Sequence, residues 1–146
     1  MLDTQHVTIL LVEDDPGHAR LIERNLRRAG ITNEIITFTD GYTAVDYLCG
    51  AGPRRPMPLL ILLDLHLPGL NGFQVLERLK ADKTTKHIPV ICLTTTDNPP
   101  DIERCYALGA NVYMTKPIVY EQFAEAIRQL GLFLSVVKIP QGEVAP

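Results

Sequence analysis

Five polar side chains stand at the ends of apolar runs, and as a group they suit the handling of a phosphoryl group. Glu13 and Asp14 follow Ile9-Leu10-Leu11-Val12, and Asp64 follows Leu59-Leu60-Ile61-Leu62-Leu63. Thr94 follows Val90-Ile91-Cys92-Leu93, and Lys116 follows Val112-Tyr113-Met114-Thr115. Strands disfavour Asp, Glu and Lys, so strand propensity does not explain them. Three neighbouring carboxylates repel one another and need a cation, and hard oxygen ligands with room for water suit Mg²⁺. Lys116 adds a point charge complementary to a tetrahedral oxyanion, and Thr94 adds a neutral donor. Phosphoryl transfer rests mainly on such positioning and charge neutralisation. A carboxylate can itself be the nucleophile, giving an acyl phosphate. Asp64, presented by the central strand, is the candidate.

These groups meet only if their strands lie side by side. Residues 7–12 form a branched apolar run that stops at Glu13-Asp14-Asp15, which predicts a buried strand. Pro16 suits a first helical turn. Leu21, Ile22, Asn25, Leu26 and Ala29 then make one helical face, Arg20, Glu23, Arg24, Arg27 and Arg28 the other, and Gly30 the stop. Residues 34–38 predict a second strand, and Asp40 caps a helix through Val45, Tyr47 and Leu48. Residues 50–58, rich in Gly and Pro, are a loop. The run 59–63 ends at Asp64, and a turn-rich loop leads to a helix through Phe73, Val75, Leu76 and Leu79, with Glu77, Arg78 and Lys80 mostly outward. Residues 89–93 predict a strand, and Asp97-Asn98-Pro99-Pro100 an N-cap with prolines opening the next helix. Residues 112–115 form a short strand, and residues 119–134 a last helix with Phe123, Ile127, Leu130 and Leu134 on one stripe.

Five strands alternate with five helices, and the strands are apolar throughout, as a sheet covered on both faces requires. Right-handed crossovers then give an α/β, flavodoxin-like (βα)5 doubly wound parallel sheet in the order 2-1-3-4-5. Its working edge lies beyond the carboxyl ends of the strands, at the switch point between the first and third. Glu13, Asp14, Asp64, Thr94 and Lys116 all fall on that edge.

Composition narrows the class. The chain has 146 residues, which is about one domain. Apolar residues at 46% and charged residues at 21% exclude disordered and fibrous classes. Cys49, Cys92 and Cys105 are odd in number and widely spaced, which excludes a disulfide framework and a structural zinc site and suits a reducing cytosol. No apolar run approaches the ~20 residues of a membrane span, and residues 1–6 lack a signal-peptide layout. A net charge of −3 gives nothing to recruit nucleic acid or an anionic membrane. The expectation is a soluble cytoplasmic protein with a single domain over 1–146, its core spanning about 7–134 and a tail over 135–146.

The set Val12-Glu13-Asp14-Asp15, Leu63-Asp64-Leu65-His66-Leu67-Pro68-Gly69-Leu70-Asn71-Gly72, Leu93-Thr94-Thr95 and Tyr113-Met114-Thr115-Lys116-Pro117 resembles the receiver domains of two-component response regulators. The resemblance covers almost the whole chain. It implies that Asp64 accepts a phosphoryl group from a phosphohistidine on a sensor histidine kinase. It implies that Asp14, Asp64 and the backbone carbonyl of His66 bind Mg²⁺ directly, with Glu13 acting through water. Lys116 then pairs with a phosphoryl oxygen, and its bond to Pro117 is often cis in the family. Thr94 moves to hydrogen-bond the phosphoryl group, and Tyr113 follows as the switch aromatic. Such a protein is not an enzyme in the ordinary sense, although it assists its own phosphorylation and dephosphorylation.

Residues 94–102 and 105–116, the Pro-rich insertion before the third strand (residues 50–58) and residues 136–140 are similar to single-domain regulators paired with bacterial phytochromes. That implies a phytochrome-type kinase and a homodimer through the last helix, the last strand and the tail. The departure is Leu132-Phe133-Leu134, where those regulators often carry a Phe-Trp pair and this chain has no Trp. Dimerisation also has a basis in the residues themselves. Leu132, Phe133, Val136, Val137 and Ile139 are apolar groups left over once the helix stripe is packed, and a monomer would expose them. The twelve residues after Leu134 are too few for a DNA-binding module, so output is expected by protein contact.

Three other readings compete. An aspartate-nucleophile phosphatase usually carries a second Asp two positions after the nucleophile, where His66 stands, and needs a lid. A flavodoxin-type nucleotide module would have a Gly/Ser/Thr-rich first loop, in place of Glu13-Asp14-Asp15. A degenerate receiver acting as a constitutive scaffold would lack some of the five residues. The four arginines of the first helix read either as a solvated face or as a docking surface for the kinase.

Overall fold

β1 (Thr8–Val12), β3 (Leu59–Asp64) and β4 (Val90–Thr94) are buried at every residue. Helices therefore cover the sheet on both faces. The computed structural model describes residues 7–50, 59–95 and 97–129. Among them, β2 (Ile35–Phe38) and β5 (Val112–Thr115) complete one parallel sheet in the order β2-β1-β3-β4-β5, as expected. Alternate strand residues feed two cores. Leu10, Val12, Ile61, Leu63, Val90 and Cys92 pack on one face, with residues of α2 (Gly41–Val45), α3 (Gly72–Ala81) and α4 (Pro99–Ala107). Ile9, Leu11, Leu60, Leu62, Ile91 and Leu93 pack on the other, with residues of α1 (Pro16–Arg28) and α5 (Tyr120–Gln129). Each such Leu or Ile contributes about 1.5–3 kcal/mol by leaving water.

The helix starts are written locally. Asp15 caps α1, its Oδ1 accepting from Gly17 N at 2.8 Å and His18 N at 3.1 Å, and Pro16 occupies the first turn. Gly30, at φ +88°, ends the run. Asp40 caps α2 through Thr43 N at 2.8 Å. Asn71 and Gln74 form a reciprocal capping box on α3, at 2.9 and 3.0 Å. The next residue, Gly72, lies so close to β3 that a Cβ there would overlap the Asp64 carbonyl oxygen.

Several expectations need correction. Leu21, placed on the core face of α1, is 42% exposed: it lines a cavity with Thr95, Lys116 and Pro117 instead of joining the core. The helix through residues 46–48 is not uniform: after Val45 it widens into a π-helical turn, Asp46–Gly50. The wider turn keeps Leu48 in the core while Tyr47 meets Phe38 at 5.1 Å between ring centroids. Lys80 is half-buried instead of outward, donating to Lys86 O and Ile88 O at 3.2 Å each. Asn98 stands at the start of α4 without a side-chain cap hydrogen bond. In α5 Phe123 is fully buried, as its stripe predicts. The side chain of Ile127, Leu130, Leu134 and the tail lie outside the described residues. No helix among the described residues is long and apolar enough to cross a membrane.

Candidate functional site

Parallel register brings the chemistry together. Val12 pairs with Leu63, Asp64 with Leu93, and Thr94 with Thr115. The residues at and just past these rungs therefore share one edge. Glu13, Asp14 and Asp64 each offer a carboxylate oxygen, and the three lie within 4.8 Å of one another. Glu13 and Asp64 are buried, and Asp14 is half-buried. The Lys116 ammonium enters from the end of β5, at 2.7 Å from Glu13 Oε1 and 3.4 Å from Asp64 Oδ2. Its backbone N–H donates to Thr94 O at 2.7 Å, and its peptide bond to Pro117 is cis. Asp64 Oδ1 accepts from His66 N at 3.0 Å. The Asp64 carboxylate is thus oriented by an amide on one oxygen and faced by an ammonium on the other.

One ammonium cannot balance three carboxylates, so negative charge is in excess. Burial raises the pKa of Glu13 above the usual carboxylate range, and the charge of Asp64 adds to this, while the hydrogen bond from Lys116 opposes it. Deprotonated hard oxygens crowded together in this way fit a small divalent cation. Asp15, grouped with the acids in the sequence, is diverted to capping α1. Its backbone N–H donates to Glu13 Oε2 at 3.2 Å and helps orient that carboxylate.

Thr94 is fully buried at the end of β4. Tyr113 lies on β5, half-buried against the core on the α4 side. It lines a groove of about 540 Å³ with Asp97, Glu121 and Glu125. Burial raises its phenol pKa above the usual value, and the charge of Asp97 adds to the effect. Glu13, Asp14, Asp64, Lys116 and Thr94 therefore gather on one edge, whereas Tyr113 sits further back along β5.

Two contacts escaped sequence reasoning. His18, in the first turn of α1, puts Nδ1 3.1 Å from Lys116 Nζ and 3.8 Å from Glu13 Oε2. Its place directly after the strand-end acids was the available signal. The sequence puts the His66 side chain beside the pocket, where it could influence hydrolysis of the phosphoryl bond, but not its contact: Nε2 lies 3.0 Å from Thr94 Oγ1. Beside the acids is a cavity of about 250 Å³ lined by His18, Leu21, Ile22, Thr95, Lys116 and Pro117. Leu21 is exposed at its rim.

Known proteins are similar to this chain along nearly its whole length. Residues 9–128 match the family model described as the response regulator receiver domain. Response regulator Rcp1 of Synechocystis sp. is 37% identical over 135 residues, spanning 90% of this chain and 92% of that protein. Its Mn²⁺-bound crystal structure aligns with a TM-score of 0.70 at 36% identity, over 92% of this chain and 99% of that one. A receiver domain from Rhodospirillum rubrum is 56% identical with a TM-score of 0.72, over 92% of this chain and 97% of that one. The phosphorylated cyanobacterial phytochrome response regulator RcpA is 38% identical with a TM-score of 0.72, over 92% and 99%. With the family model matching residues 9–128 and the parallel sheet in the order β2-β1-β3-β4-β5, the chain belongs to the response regulator receiver domain family.

Proposed function

We propose that this chain is a phosphoacceptor of a two-component pathway, with Asp64 as the acceptor and a sensor histidine kinase as the donor. The observation that carries this is the Asp64 carboxylate, buried within 4.8 Å of two other carboxylates and facing an ammonium at 3.4 Å. In the transfer a carboxylate oxygen of Asp64 bonds to phosphorus as the phosphorus–nitrogen bond of phosphohistidine breaks, and the ring, already protonated on its other nitrogen, leaves as neutral imidazole. Asp14, Asp64 and the carbonyl of His66 would hold Mg²⁺, with Glu13 acting through water, and the bound ion supplies charge neutralisation for the phosphoryl oxygens.

The chain's own groups do the rest. The amide of His66 fixes the rotation of the Asp64 carboxylate. Lys116, held ready between Glu13 and Asp64, turns its charge to a phosphoryl oxygen. Thr94 donates its hydroxyl to another, and Tyr113 follows it toward the space vacated. The last helix and strand carry the change to a partner. The protein is a signalling protein, not an enzyme with an external substrate, and it assists its own phosphorylation and dephosphorylation.

Similarity to Rcp1 and RcpA supports a phytochrome-type kinase. The apolar tail residues support a homodimer through α5, β5 and the tail. We assign no nucleic-acid or membrane partner, a cytoplasmic location, and a single receiver domain over 1–146. Incubation with Mg²⁺ and phosphoramidate or acetyl phosphate tests the central step. Intact mass is expected to rise by one phosphoryl group in the wild-type chain and to stay unchanged in Asp64→Asn or with a chelator. Uptake by Asp64→Asn would refute the assignment.

A further inference from the structure

His66 meets the site twice. Its backbone N–H donates to Asp64 Oδ1 at 3.0 Å, and its ring Nε2 lies 3.0 Å from Thr94 Oγ1. The ring is not placed there by a wandering loop. Leu65 and Leu67 on either side are buried, and Leu65 N donates to Leu93 O at 2.9 Å, so the backbone of this segment is fastened to the sheet. Thr94 is buried and lies at the end of a fully buried strand. A hydroxyl carries one proton and two lone pairs, so a hydrogen bond to the ring, in either tautomer, fixes where the Thr94 oxygen points.

We infer that His66 is a latch on Thr94: a positioning residue whose ring holds the hydroxyl away from the acceptor until a phosphoryl group on Asp64 draws it off. The inference rests on the reading of Asp64 as acceptor, and it adds a residue whose side chain that reading leaves idle. The phosphoryl group must break the His66–Thr94 hydrogen bond before it gains its own bond to Thr94. Part of its binding free energy is spent on that exchange, so the latch biases the unmodified protein toward the resting arrangement. Because His66 is exposed, replacing its ring leaves the core intact, and the backbone hydrogen bond to Asp64 survives any side-chain change.

Two variants of similar size separate the hydrogen bond from the space the ring fills. His66→Leu removes the bond, and His66→Gln keeps a side chain able to bond Thr94. The probe is beryllofluoride with saturating Mg²⁺, a mimic of the phosphoryl group on a carboxylate, read by titration calorimetry. Losing one net hydrogen bond predicts affinity about two- to tenfold tighter in His66→Leu, with His66→Gln near wild type. In the unmodified proteins, three-bond couplings at the Thr94 methyl should show a single rotamer in wild type and His66→Gln and averaging in His66→Leu. Equal affinity in all three proteins, equal tightening in both variants, or weaker binding by His66→Leu would overturn the latch while leaving Asp64 as acceptor. Unchanged Thr94 couplings across the three would overturn it as well. Failure of the wild-type chain to bind beryllofluoride at all would overturn the acceptor assignment and the latch's role together.

Discussion

At the scale of single residues, the acids were legible because they interrupt apolar runs. A carboxylate at the end of a buried strand has no reason in strand packing to be there. Contacts made by side-chain reach were not legible. The positions of His18 and His66 shortly after the strand-end acids place them near the edge, but do not say that their rings arrive at Lys116 and Thr94. The divided fates of Glu13, Asp14 and Asp15 were equally hidden, since only the start of α1 decides that Asp15 becomes its cap. The crowded acids carry a testable cost. Removing one carboxylate with Asp64→Asn relieves like-charge repulsion and is expected to stabilise the fold by about 1 kcal/mol in chelator-treated buffer, by urea denaturation. A loss of stability would contradict the electrostatic reading. Asp15 behaves oppositely on acidification. The hydrogen bond from His18 N, above all, and that from Gly17 N hold its pKa below the usual 3.8. The native state thus binds this proton more weakly than the unfolded chain, so the contribution is complete above about pH 4 and is lost as pH falls through the native value. Asp15→Asn should flatten that part of the stability–pH curve, measured as the difference from wild type; an unchanged slope below pH 4 would sink the argument.

Among the elements, the fully buried strands announced themselves most clearly. Their uninterrupted apolar runs call for a sheet covered on both sides, and the long helix-bearing segments between them suit parallel crossovers. Helix register was less certain at the ends, where tertiary contacts decide. Leu21 fits the apolar stripe of α1 yet lines an open cavity beside Lys116, and the π-helical turn after Val45 reflects packing of Leu48 and Tyr47 that no local propensity encodes. The start of α3 is the element on which the site leans hardest. A methyl group at Gly72 would collide with the backbone of Asp64 itself. Gly72→Ala is therefore expected to cost about 1–3 kcal/mol and also to slow phosphoryl uptake from phosphoramidate, because the acceptor must shift. Wild-type uptake kinetics in a destabilised Gly72→Ala would show that the contact is purely structural.

For the molecule as a whole, the two-sided core is what positions the working edge. α1 and α5 clamp one face and α2, α3 and α4 the other, leaving the carboxyl ends of the strands as the open rim. The family model matches over that same architecture, residues 9–128. Assembly does not, because the surplus apolar residues Leu132, Phe133, Val136, Val137 and Ile139 lie outside the described residues. Sedimentation velocity of the full chain is expected to give two copies per particle, and Phe133→Asp combined with Val137→Asp to give one. A wild-type chain that sediments as a monomer at micromolar concentration would remove the dimer from the account. The central claim is chemical and local, and it has a direct test. After incubation with phosphoramidate, borohydride converts an acyl phosphate on aspartate into homoserine, which peptide mass spectrometry places on the sequence. The account predicts homoserine at position 64 alone, and only when Mg²⁺ is present. Homoserine at position 14 instead, or at position 64 in chelator-treated protein, would contradict it.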